Sequence, residues 1–261
     1  RPERRQMLTE RNDRLHRLHD AIVGTGRAFK GKLTHNPQDA SSQDPANLSD
    51  ISNLSEAGRA AIYWTSGSAQ LGYMGVGVVW QEKALGSGRW QEAEYPIGYN
   101  TGTISDAQAF GVAVALGLAV DKVKEGKSLK VVRIFTHSPG MISSLHKQKY
   151  TSLGPMLGDR FALLDLYERS DWLVKHGVEV ELVWLKNKGH VKSKAVRLAD
   201  EAADRAAHAN TELSGVIKTA IHGANVTELL KTIDDVPQIY RASGQDWIDE
   251  WLWRQNKSLY D

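Results

Sequence analysis

AIYWTSGSAQLGYMGVGVVWQEKALGSGRWQEAEYPIGY, residues 61–99, contains three short runs, Ala61–Thr65, Gly75–Trp80 and Trp90–Tyr99. In each, apolar and polar residues alternate, or β-branched and aromatic residues gather. Side chains on a strand point alternately to opposite faces, so runs of this kind predict strands packed into a sheet. The breaks between them are short and contain glycine, which makes the three an antiparallel meander.

Reading on toward the C-terminus, Ile104–Lys124 is a long stretch of small apolar residues with Ser105 and Asp106 as capping candidates. It predicts a helix buried against the sheet. A strand is expected at Lys130–Thr136 and a helix from about Pro139 to Lys147. A second amphipathic helix should span Asp159–Lys175, followed by a strand at Val178–Leu185 and a helix at Ser193–Ala207. The order βββαβααβα predicts an α/β domain, a mixed five-stranded sheet flanked by helices, across residues 59–208.

Both ends of the chain read differently. Residues 1–31 carry Met7, Leu8, Leu15, Leu18, Ile22 and Val23 at helical spacing among many arginines, which predicts a basic amphipathic helix. From 32 to 58 the composition turns to Asn, Asp, Ser, Gln and Pro, with Pro37 and Pro45 as breakers, so this stretch is expected to be an exposed polar linker. Residues 209–261 predict a helical extension, with short pieces around Val226–Ile233 and Trp247–Trp253. Trp247, Trp251 and Trp253 lie close together there, either packing back on the domain or docking a partner.

Bulk composition sets limits. Basic and acidic residues number 33 and 31, for a net charge of +2, so the overall balance demands no polyanionic partner and local charge must decide. No cysteine is present, which removes disulfides and thiolate metal sites and fits an intracellular location, with nucleus, cytoplasm and mitochondrion left open. The longest apolar run, Phe110–Val120, falls short of the roughly 20 residues of a membrane span, so no membrane partner is expected. The chain opens at Arg1 and is read as a processed form or excised fragment.

Four motifs fall in sequence on this framework. The first strand runs Tyr63-Trp64-Thr65-Ser66-Gly67-Ser68. The first long helix contains Ala107-Gln108-Ala109-Phe110-Gly111-Val112-Ala113-Val114-Ala115-Leu116. The fourth strand ends Phe135-Thr136-His137-Ser138. Last comes Trp184-Leu185-Lys186-Asn187-Lys188-Gly189-His190, with Ala199-Asp200 ten residues after the histidine. Together they resemble the ribonuclease H family, whose corresponding motifs are Thr-Asp-Gly-Ser, Ala-Glu-Leu, Thr-Asp-Ser and a mobile histidine followed by a final aspartate.

The resemblance implies a ribonuclease H-like fold and four metal-binding carboxylate positions, here Ser66, Gln108, His137 and Asp200, with His190 as the loop histidine. Only Asp200 is acidic. Family members hydrolyse RNA in RNA/DNA hybrids with two divalent ions about 4 Å apart. Mg²⁺ is hard and prefers anionic oxygen, so replacing carboxylates lowers the site charge from about four negatives to about one and leaves poor ligands. No cofactor is therefore expected, or Mg²⁺ or Mn²⁺ should the chain be active. Ser66, Gln108, His137 and Asp200 are expected to satisfy one another as a polar cluster.

Binding can outlive cleavage, because a hybrid is held mainly through its backbone and 2′-hydroxyls. Lys186, Lys188, Lys192, Lys194 and Arg197 surround His190, and with Gly67 and Ser68 they form the candidate nucleic-acid contacts. The lysine loop reads equally as a solvated hairpin. The leading expectation is a non-catalytic ribonuclease H-like domain, of retroelement origin, that binds an RNA/DNA hybrid or structured RNA. The alternatives are a protein-interaction scaffold using the N-terminal helix or the tryptophan tail, and an active hybrid ribonuclease with a rearranged site.

Overall fold

The computed structural model describes residues 6, 9, 26–34, 49–70, 73–82, 88–99, 104–147, 156–157, 160–185 and 193–221. Along the chain these form β1 (Lys32–Thr34), α1 (Ser49–Glu56), β2 (Ala60–Gln70), β3 (Tyr73–Gln81), β4 (Trp90–Tyr99) and α2 (Ile104–Lys124). Then follow β5 (Val131–Thr136), α3 (Pro139–His146), β6 (Met156–Leu157), β7 (Arg160–Phe161), α4 (Ala162–Lys175), β8 (Glu179–Trp184) and α5 (Lys194–Ile221).

Six strands make one sheet in the order β1-β8-β5-β2-β3-β4, and β6 and β7 form a separate two-stranded pair. β2, β3 and β4 are the expected antiparallel meander. β5 runs parallel to β2, and β8 parallel to β5. Each of the five expected strands is present, and the sixth is an addition.

β2 carries the logic of the core. Ala61 and Tyr63 point into a cluster built with α2, α3 and α4, whereas Ile62 and Trp64 point to the opposite face and pack with residues of α1 and α5. Because both faces are covered, the strand reads as an almost continuous apolar run. On the second face the Trp64 ring stacks on Phe135, centroids 5.4 Å apart, and meets the edge of Trp90 at 5.5 Å. α2 is apolar all round because it lies beneath the sheet and α4. At 21 residues it has the length and composition of a membrane-spanning helix, which the run-length reading did not anticipate, but most of it is buried within the domain.

α5 approaches the sheet unusually closely. A Cβ added at Gly75 would lie 2.2 Å from the Ala207 nitrogen, and one at Gly77 would lie 2.4 Å from the Ala199 oxygen. Ala199, Ala202, Ala203, Ala206 and Ala207 on the helix are all buried. Two glycines on one face of β3 therefore meet a row of alanines, and backbone rests on backbone. Arg205 locks the far side, reaching Glu92 Oε2 at 3.0 Å and Glu94 Oε1 at 2.7 Å on β4.

Two expectations need correcting. The stretch 32–58, read as an exposed polar linker, contributes β1 and α1. β1 pairs through its backbone with β8, Lys32 opposite Glu181, and backbone pairing leaves no trace in side-chain polarity. The residues before it are fixed as well: Phe29 is buried, the Lys30 N–H donates to Ser170 Oγ at 3.0 Å, and Arg27 pairs with Glu168. α1 buries Ile51 and Ser55. In addition, the last helix, expected to stop at Ala207, runs on to Ile221 through Ser214 and Gly215, so the boundary drawn at 208/209 falls inside a helix. A lone glycine costs a helix only about 1 kcal/mol relative to alanine, too little to end one among good helix formers.

Residues 1–25 other than 6 and 9, where a basic helix is expected, residues 186–192 with Lys186, Lys188, His190 and Lys192, and residues 222–261 with the pieces expected at Val226–Ile233 and with Trp247, Trp251 and Trp253 lie outside the described residues.

If the helix–sheet contact is as tight as its geometry requires, Gly77→Ala should lower stability by about 2–4 kcal/mol, because the added methyl forces backbone apart. Gly140→Ala, where a Cβ would meet nothing within 4 Å, should stay within about 0.5 kcal/mol of the parent. Urea denaturation of the two variants measures both.

Candidate functional site

β2 presents Ser66 and Ser68 to α5, and Thr65 and Gly67 to α2, because successive strand residues face opposite ways. Ser66 stands directly across from Gly77 in the β2–β3 register. The close seating of Ala199 over Gly77 brings the next helical residue, Asp200, to Ser66, whose hydroxyl donates to Asp200 Oδ1 at 2.6 Å. Ser66 is buried and Asp200 half-buried. Ser68, opposite Gly75, is buried under the same helix, and one turn further on Gln70 Nε2 donates to Asp204 Oδ1 at 3.0 Å.

On the other face Gly67 lets the first turns of α2 come down onto β2. A Cβ there would lie 2.8 Å from the Ala107 Cβ and 3.3 Å from the Gln108 nitrogen. Gln108 is buried, and its Oε1 accepts a hydrogen bond from the Thr136 hydroxyl at 3.0 Å. Thr136, fully buried at the end of β5, also accepts from the Ser138 N–H at 3.4 Å. Ser138 caps α3, its Oγ accepting from the Met141 N–H at 3.2 Å. Asp106 is buried in the first turn of α2, where the positive end of the helix dipole favours a carboxylate.

His137 is half-buried beyond the end of β5, with Nδ1 3.2 Å from the Leu185 carbonyl oxygen. A carbonyl only accepts, so Nδ1 carries the proton in this contact.

The structure thus brings Ser66 and Asp200 into direct contact and places Gln108 and His137 nearby with other partners. Thr136 and the Leu185 carbonyl are partners that the motif reading missed. The signal for Thr136 was its place beside His137, since strand alternation turns one of that pair toward α2 and the other away. Lys194 and Arg197 are exposed on the first turns of α5, and Arg197 reaches Glu201 at 3.5 Å.

A two-ion site needs several anionic oxygens on one point. Here Ser66 and Gln108 offer only neutral oxygens, engaged with Asp200 and Thr136, and Asp200 supplies the only carboxylate of the four positions. Among the described residues no three His, Asp or Glu side chains converge. These residues do not fit a pair of Mg²⁺ or Mn²⁺ ions.

No protein-family model matches the chain, and no curated protein matches it. Among solved structures it is similar to the N-terminal RNase H domain of a Mycobacterium tuberculosis protein, solved as a fusion with maltose-binding protein. That likeness has 20% identity and a TM-score of 0.41, over 59% of this chain and 98% of that one. It is also similar to RNase H1 of the archaeon Halobacterium salinarum, at 17% identity and TM-score 0.37, over 57% and 98%. A third is an RNase H1 isolated from compost and solved in complex with an RNA/DNA hybrid, at 19% identity and TM-score 0.38, over 56% and 98%. The chain's own sheet, an antiparallel meander continued by two parallel strands with helices on both faces, is the mixed α/β arrangement expected from the sequence.

Ser66→Asp sets a second carboxylate against Asp200. Two like charges this close raise the folded-state pKa of one above its unfolded value near 3.9. The variant should lose about 2 kcal/mol near pH 7. The loss should fade as pH falls through the raised value, because the pair then takes up a proton. Urea titrations near pH 7 and near pH 4 compare the two.

Proposed function

We propose that this domain binds nucleic acid, with an RNA/DNA hybrid as the first ligand to try, and does not cleave it. The observation that carries this reading is how the family's carboxylate positions are used: Ser66 and Gln108 direct their polar atoms to Asp200 and Thr136 within the protein. On this reading the fold serves to hold a nucleic acid without the donor set for metal-assisted hydrolysis. The exposed pair Lys194 and Arg197 at the start of α5, one to two turns before Asp200, supports a phosphate-facing surface there. Lys186, Lys188 and Lys192 precede that pair in the sequence and extend the same basic run. A retroelement's ribonuclease H region is the origin this reading favours.

The test is fluorescence anisotropy of an end-labelled RNA/DNA hybrid titrated with the protein in Mn²⁺ and followed over time at low and moderate salt. A steady rise that weakens as salt increases is expected. Lys194→Ala combined with Arg197→Ala should flatten the log–log salt dependence by about two units, since each phosphate contact contributes close to one. A rise that decays as the strand is cut would establish the nuclease instead, and a flat signal at micromolar protein would leave the protein-interaction scaffold.

A further inference from the structure

The mismatch between this site and a metal pair says how a phosphate would be received here. Thr136 Oγ1 accepts from the Ser138 N–H and donates its own proton to Gln108 Oε1, an arrangement in which the amide oxygen faces Thr136. Oε1 turns to Thr136, and Nε2, with two N–H donors, hydrogen-bonds to none of the described residues. Gln108 is only 6% exposed, so the amide is held in place and needs no ordering to act.

Thr136 follows Phe135, which is level with Trp64 of β2, and the Thr65 hydroxyl donates to the Phe135 carbonyl at 3.1 Å. The Gln108 amide therefore sits at the strand end that carries Ser66 and Asp200, across the pleat from them. Where family members carry anions that a cation must bridge to phosphate, this chain places an amide donor and one carboxylate already hydrogen-bonded by Ser66 at 2.6 Å.

Resting on the nucleic-acid reading above, we propose that this site takes a backbone phosphate directly, through the Gln108 amide N–H, with no divalent cation between protein and phosphate. Asp200 is then a repulsive charge at the same strand end as that phosphate, along with Asp106, which is buried two residues before Gln108. In a cation-bridged site Asp200 would be the anchor instead, so the two arrangements give opposite signs for the same substitution.

The probe is a fluorescein-labelled RNA/DNA hybrid, titrated by anisotropy in EDTA and in Mg²⁺ against the parent, Asp200→Asn and Gln108→Glu. Asn at 200 still accepts from Ser66, and Glu at 108 still accepts from Thr136, so both variants keep the internal bonds. The parent should bind equally in the two buffers to within about twofold. Asp200→Asn should bind about threefold more tightly in EDTA, one nearby negative charge having been removed. Gln108→Glu should bind about tenfold more weakly there, its donor having become an anion. Should Gln108→Glu fail to fold, which thermal melting reports, the sign for Asp200→Asn decides alone. Parent binding that vanishes in EDTA, or weaker binding by Asp200→Asn, overturns the cation-free seat while leaving nucleic-acid binding intact. A parent that binds in neither buffer overturns the nucleic-acid reading itself.

Discussion

The backbone contact between α5 and β3 governs the geometry of everything near Ser66. Glycine is a poor strand residue, with no side chain to pack and the most conformational freedom to lose. Gly75 and Gly77 nevertheless stand in the middle of the sheet, because any Cβ there would collide with the backbone of the helix. Alanine suits the helix side for the same reason and is also its best former. The result is a helix seated so low that Asp200 reaches Ser66 and Asp204 reaches Gln70. Ion pairs from Arg205 to β4 then resist sliding along the groove.

A strand distributes its residues between two faces, and this divides the site. Ser66 belongs to the α5 face and Thr65 to the α2 face, so the four positions that the family devotes to one pair of ions are approached from both sides of the sheet. In this chain each side has its own hydrogen bond, Ser66 with Asp200 and Gln108 with Thr136. On each side one oxygen of the pair is engaged within the protein.

The sequence made the sheet legible because its strands are buried on one or both faces, and burial writes itself into side-chain type. β1 stayed hidden because Lys32, Leu33 and Thr34 join the sheet by main-chain pairing, which polarity does not record. α1 is half polar on its surface and was masked by the prolines before it. The end of α5 was misjudged because Ser214 and Gly215 are weak breakers, outvoted by their neighbours. Within the site the motif order led to the expectation of one polar cluster of Ser66, Gln108, His137 and Asp200, of which the Ser66–Asp200 contact is seen. The other partners were not readable, because whether Gln108 meets Ser66 or Thr136 depends on helix height and strand pleat, and neither has a one-dimensional signature.

The pairing of β1 with β8 has a consequence for how the chain comes to be folded during its synthesis. Among the described strands β1 is the first to be made, yet its partner is the last strand of the sheet. Phe29 and Lys30 likewise wait for α4, which supplies Ser170. The early-made segment must therefore stay unpaired while nearly the whole domain is translated, and its docking is among the most non-local and slowest steps. Until it docks, β8 presents an open row of backbone donors and acceptors, the kind of edge at which newly made chains join one another. Docking of β1 then replaces that edge with a terminal strand of only three residues, a shorter template for pairing with another chain.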